Sequence, residues 1–229
     1  FVAVAFTGLN AKFYWLAPAH CAILAGGACA LDQTVRKHGW AWLKVAYPVA
    51  LVIGGALTAP LALPVLPPPQ AAAFNAFLGG DAGIRHENVR LRGLPQHFGD
   101  MFGWEEMVAL VAEVYESLPK EEKTGCVIFA DNYGNAGAID LLGKEYGLPR
   151  AVCTHNNYHL WGPGEFSGGV VITVGIDEDE LKTLFDEVTL AATFTHPYCM
   201  PSEDNKPIYI CRGLRVDLEK AWAEAGNYI

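Results

Sequence analysis

No charged residue interrupts residues 13 to 31, FYWLAPAHCAILAGGACAL, and none interrupts residues 45 to 67, VAYPVALVIGGALTAPLALPVLP. Each run is long enough to cross ~30 Å of hydrocarbon as a helix. Between them lies DQTVRKHGWAWLK, residues 32 to 44, where Arg36, Lys37 and Lys44 gather beside Trp40 and Trp42. Basic residues and interfacial aromatics between two uncharged spans predict a cytoplasmic loop joining two transmembrane helices. The alternative is a pair of buried core helices. Pro48, Pro60 and Pro64 favour the membrane, where neighbouring helices satisfy the carbonyls that proline frees.

Orientation follows from that loop. The first helix runs inward, the second outward, and everything after PVLPPPQ (64 to 70) lies outside. FVAVAFTGL at the start is apolar and carries no signal-peptide n-region, which predicts the end of an earlier outgoing helix in a longer membrane protein. GLNAK then reads as a tight outer turn, with Lys12 at the membrane edge.

Charge divides the chain the same way. Residues 1 to 69 carry Lys12, Arg36, Lys37 and Lys44 against Asp32, a net +3, which leaves −12 of the total −9 for residues 70 to 229. Such acidity excludes a nucleic-acid partner, since phosphate neutralisation needs clustered Lys or Arg. The expected domains are therefore 1–69, a transmembrane hairpin open to membrane lipid, and 70–229, a soluble extracytoplasmic domain, joined by the proline-rich 64–69.

The outer domain alternates two periods. Glu105 to Leu118 places Met107, Val108, Leu110, Val111, Val114 and Leu118 on one helical stripe. GCVIFA (125 to 130), RAVC (150 to 153) and GVVITVG (169 to 175) are short apolar runs of strand length. Gly134 to Tyr146 reads as a helix closed by Gly147 and Pro149, and Asp177 with Glu180 as a capping box for a helix reaching Phe185. EVTLAATFT (187 to 195) alternates Val188, Leu190, Ala192 and Phe194 on one face, and PIYIC (207 to 211) reads as a final edge strand. The pattern predicts a three-layer α/β, Rossmann-like domain with a mostly parallel sheet.

In such a sheet ligands sit beyond the carboxyl ends of the strands. DNYGNAG follows one strand and THNNYHLWGPGEF the next, so Asp131, Asn132 and Tyr133 are expected to face His155, Asn156, Asn157, Tyr158 and Trp161. His155 and His159 have the i, i+4 spacing of a zinc pair, but no glutamate lies between them and WGPG opposes a helix, so no metal is expected. GNAG (134 to 137) has two glycines at the wrong spacing for a dinucleotide loop, so no cofactor is expected either. Asn amides with Tyr and Trp rings suit a polar, uncharged ligand such as a sugar. The competing reading is turn chemistry, with asparagines in left-handed backbone and Trp161 plugging the loop onto the core.

Of six cysteines, Cys21 and Cys29 fall in the membrane run, and Cys126 and Cys153 read as buried strand residues. Cys199 and Cys211 flank PSEDNKP, and in an oxidising compartment a bridge between them is open.

NAKFYWLAPAH, with Lys12, Tyr14, Trp15 and Pro18, resembles the Lys-x-Tyr-Tyr-x-x-Pro segment of bacterial family 39-like, C-type membrane glycosyltransferases, relatives of protein mannosyltransferases and aminoarabinose transferases. LPQHFGDMFGWEEMVALVAEVYESLP, FADNYGNAGAIDLLG, HNNYHLWGP and PIYICRGL are similar to the C-terminal domain of one branch of that family. The resemblance implies transfer of a sugar from a polyprenyl-phosphate carrier to an extracytoplasmic acceptor at the inner membrane, with Lys12 and Tyr14 at the lipid phosphate. It also implies further N-terminal transmembrane helices as partners. The family's acidic catalytic base lies in its first outer loop, and nothing here corresponds to it, so no catalytic residue is assigned. The rival from another class is a non-catalytic, membrane-anchored carbohydrate-binding or assembly domain. A self-sufficient Rossmann-like enzyme would require a cofactor loop that this sequence does not show.

Overall fold

A computed structural model describes residues 17–78, 94–164, 166 and 169–228. The chain divides into two compact units, Phe1–Leu63 and Pro64–Ile229.

In the first unit, α1 (Ala17–His38) and α2 (Leu43–Ala62) are joined by a short turn. The expected 32 to 44 loop is mostly helix, because α1 runs on through DQTVRKH. Asp32 pairs with Arg36 one turn later at 2.7 Å, and Arg36, Lys37 and His38 sit in the last turn, where cations complement the helix dipole. Gly39, at φ +70°, ends it. Among the described residues, α2 is the helix long and apolar enough to cross a membrane, with mean hydropathy 1.8 and none of its most apolar window buried. Residues 13 to 16 of the first expected span lie outside the described residues. The proline run is shorter than expected as a linker: α3 (Pro68–Phe77) begins with prolines in its first turn, where a missing N–H is harmless.

The second unit is mixed α/β. It contains α4 (Trp104–Ser117), β1 (Val127–Ala130), α5 (Tyr133–Leu142), β2 (Ala151–Val152), β3 (Val171–Val174), α6 (Glu178–Leu184), β4 (Phe185–Phe194), β5 (Lys206–Leu214) and α7 (Leu218–Glu224). The five strands form one mostly parallel sheet in the order β2-β1-β3-β5-β4. β1 pairs in parallel with β2 and β3, while β5 runs antiparallel to both β3 and β4.

Alternation along β1 sends Ile128 and Ala130 into a cluster with Met107, Val108 and Val111 of α4 and Ala136 and Ile139 of α5. Val171, Tyr209 and Cys211 enter a second cluster with Leu181 of α6 and Phe185. The capping box expected at α6 takes a different form: the Asp177 carboxylate accepts from Asp179 N at 2.9 Å, one residue before Glu180.

Two strand expectations are corrected. PIYIC belongs to an interior strand, because the hairpin from β4 folds β5 back between β3 and β4, and the exposed edge is β4. Its Pro207 is tolerated as the second residue of the strand, where its carbonyl accepts from Gly175 N at 2.9 Å. β4 does not present one face throughout. Leu190 lies opposite Tyr209 and Ala192 opposite Ile208, so Ala191 is an extra residue and the alternation slips by one. Val188 therefore joins the Cys211 cluster, whereas Ala192 and Phe194 join the Ile208 cluster. The same geometry separates the two cysteines whose bridging the sequence leaves open: Cys199 is buried in the first cluster and Cys211 in the second, and they form no disulfide.

Candidate functional site

After β1 the chain turns into α5, which packs in the first cluster, and after β3 it turns into α6, which packs in the second. The two exits diverge at the carboxyl ends of β1 and β3, the position that strand order 2-1-3 favours for ligands. Asp131 stands at the end of β1 and Gly175 at the end of β3. Antiparallel β5 delivers its first residue, Lys206, to the same place.

These residues form a connected polar cluster. Lys206 donates to Asp131 and lies 3.4 Å from Glu203. Asn135 donates to Asp131 at 2.7 Å and to Glu203 at 3.0 Å. Asn132 caps α5 by accepting from Asn135 N at 2.9 Å, and its amide donates to Glu203 at 3.3 Å. Asn135 is 2% exposed and the Lys206 side chain 10%. One cation against two carboxylates leaves a formal net charge of −1, which opposes a phosphate at this helix start despite its dipole. Gly175 has φ +77°, and a Cβ there would lie 2.6 Å from an Asp131 oxygen and 2.8 Å from Lys206 Cδ. The turn after β3 is thus reserved for glycine by backbone angle and by the approach of the ion pair.

Of the expected residues, four converge. Tyr133, 54% exposed, meets His155 edge-on with ring centroids 4.9 Å apart, beside Asp131 and Asn132. His155 Nε2 is buried and has no hydrogen-bond partner among the described residues.

The rest of the 153 to 164 stretch turns away. Instead of one long loop it contains a helical turn, Asn157–Leu160. Asn156 adopts φ 54°, ψ −132°, and its N–H donates to Asn227 O at 2.7 Å. Asn157 is exposed at the start of the turn. Tyr158 donates its hydroxyl to Asp140 at 2.9 Å. Burial first, and that bond second, push its pKa up to about 12. Trp161 stacks edge-on against Tyr158 and lies under the Arg150 guanidinium, 5.2 Å from the ring, beside a cavity of about 270 Å³ at the β2 edge. His159 contacts Tyr228 Oη at 2.7 Å and Trp222 O at 2.8 Å. The two histidines therefore point to different neighbours, and no group of three metal-ligating side chains exists among the described residues. Lys12 and Tyr14 lie outside the described residues.

No protein-family model, no curated protein and no solved structure matches this chain. The chemistry of the site rests on its own geometry.

Asn135, Glu203 and Lys206 were not expected in the site. PSEDNKP reads as a solvated turn in sequence, and the antiparallel return of β5 that brings Lys206 to Asp131 is a contact across 75 residues. The available signal was the lysine directly before an apolar strand, which becomes informative only once the strand order is known.

Proposed function

We propose that this chain is the C-terminal portion of an integral membrane glycosyltransferase that moves a sugar from a polyprenyl-phosphate carrier to an extracytoplasmic acceptor, with the 64–229 unit holding a polar, uncharged part of a substrate. The observation that carries this is the edge-on contact of the exposed Tyr133 ring with His155 at the carboxyl edge of β1 and β2, next in sequence to Asp131 and Asn132. An exposed aromatic ring beside amide and carboxylate acceptors suits a sugar, which offers an apolar face and ringed hydroxyls. The negative cluster behind it disfavours an anion. The apolar α2 just before this unit supports a membrane setting.

In this reading residues 13–31 and 45–67 both cross the inner membrane of a bacterium, and Arg36, Lys37 and Lys44 face the cytoplasm. The outer unit is a three-layer, Rossmann-like domain, and Lys12 with Tyr14 meets the lipid phosphate. In this reading none of the site residues described above is the catalytic base.

Transfer from a polyprenyl-phosphate-linked sugar by the full-length enzyme in membranes tests the reading. Tyr133→Ala removes a mostly exposed ring and should lower transfer about two- to tenfold, the equivalent of a lost aromatic contact, without moving the melting temperature. Unchanged kinetics in that variant would remove Tyr133 and the His155 contact from the reaction.

One observation favours a second reading, a membrane-anchored carbohydrate-binding or assembly domain without catalysis. Asp131 and Glu203 are already held by Lys206 and by donated Asn135 amide hydrogens, an arrangement that fixes a shape. Saccharide binding that persists with no transfer in the full-length protein would select it.

A further inference from the structure

Strands β1 and β2 are apolar on both faces, the pattern of a parallel sheet that needs two covers. On one face Ile128, Ala130 and Ala151 are sealed, each no more than 1% exposed. On the other, Val127, Phe129 and Val152 are only half-buried. They floor a cavity of about 340 Å³ roofed by Leu184 of α6 and by Ala221 and Trp222 of α7. That volume lies in the range of small-molecule sites, about 300–1,000 Å³. Thr154 and Glu180 supply the polar side chains of the wall, too few to hold several ordered waters at two to four partners each. An apolar guest would restore the dispersion contacts that the bare floor lacks.

The wall also limits what the guest can be. Its lining is apolar, aliphatic side chains with the rings of Phe129, Phe166, Phe185 and Trp222, and offers a hydrocarbon chain contacts without polar partners, while the exposed Glu180 carboxylate opposes an anionic head group. In the chain, α3 follows the apolar helix α2 after only Leu63–Pro67, so a membrane-spanning α2 tethers this unit where bilayer lipid is the apolar molecule at high effective concentration. We propose that the cavity accepts one acyl chain of a neutral or zwitterionic bilayer lipid. The proposal rests on reading α2 as membrane-spanning.

Photo-crosslinking of the whole chain tests it. The protein is reconstituted in phosphatidylcholine nanodiscs doped with phosphatidylcholine carrying a diazirine on one acyl chain, irradiated and mapped by peptide mass spectrometry. Label is expected on α2 and also on peptides containing Phe129, Leu184 or Trp222. Ala221→Trp, which fills the cavity with an indole, should remove the second set while leaving α2 labelling and the far-ultraviolet dichroism unchanged. Label on α2 alone overturns the lipid site and leaves the membrane reading standing. Label on neither overturns both. A parallel arm with a diazirine-bearing aliphatic alcohol in solution separates the source: cavity labelling by the alcohol without labelling by the lipid overturns bilayer lipid as the guest, as does cavity labelling that survives Ala221→Trp.

Discussion

Lys206→Met is the sharpest test of the polar cluster. The substitution keeps an unbranched chain of similar length and removes the cation from between Asp131 and Glu203. Their side chains are 21% and 22% exposed, against 10% for Lys206. A lost charge-assisted hydrogen bond is worth about 1.5–3 kcal/mol, and an orphaned charge in a fully buried pair about 3–5 kcal/mol. The carboxylates keep roughly a fifth of their exposure and both retain a bond from Asn135, so the loss should fall between, at about 2–4 kcal/mol. For a unit of this size 1 kcal/mol moves the melting temperature by about 2–4 °C, so Lys206→Met should melt roughly 5–15 °C lower. Near-ultraviolet dichroism of the detergent-solubilised chain reads that transition. Asp131→Asn combined with Lys206→Met removes one orphaned charge, and the pair should lose less than the sum of the single variants by about 1 kcal/mol or more. A shift under about 2 °C for Lys206→Met, or strict additivity in the double variant, would refute the cluster as an organising element.

Three more expectations follow from single positions. Gly175→Ala forces a Cβ to within 2.6 Å of Asp131 and a strained backbone, and should cost about 1–3 kcal/mol in the same melt; wild-type stability would show that the turn relaxes freely. Asn156→Gly should keep or raise stability because φ 54°, ψ −132° suits glycine, whereas Asn156→Val should lose about 1–3 kcal/mol; equal melting of the two variants would contradict that backbone angle. Tyr158 holds its proton to about pH 12 when folded, against an ordinary value of 10.0, so its contribution is complete below the lower value and lost as pH rises through the upper one. Phenolate absorbance titration, compared with Tyr158→Phe, should show one late-ionising tyrosine missing from the variant, and identical curves would refute its burial.

How far the sequence reached depends on which contacts are local. β1, α5, β3 and α6 are legible because period and end signals lie within a few residues: Gly147 and Pro149 close the stretch that holds α5, and Asp177 caps α6. The charged end of α1 reads as loop from hydropathy, which registers Asp32 and Arg36 as a break, while their i, i+4 pairing extends the helix. Strand order was not legible, and with it went the interior place of β5 and the arrival of Lys206 beside Asp131. The aromatic and amide richness of 153 to 164 pointed to one ligand loop. Its side chains instead divide among separate partners: His155, before the helical turn, goes to Tyr133, while the turn itself fans Tyr158 to Asp140 and His159 to Trp222 and Tyr228.

The extra residue at Ala191 has a consequence for cooperativity. By shifting phase midway, β4 lends Val188 to one hydrophobic cluster and Ala192 and Phe194 to the other. One strand therefore fastens both sides of the sheet, although it is the exposed edge. Peeling it away exposes both interiors at once, so an opening that frees β4 loosens the two clusters together.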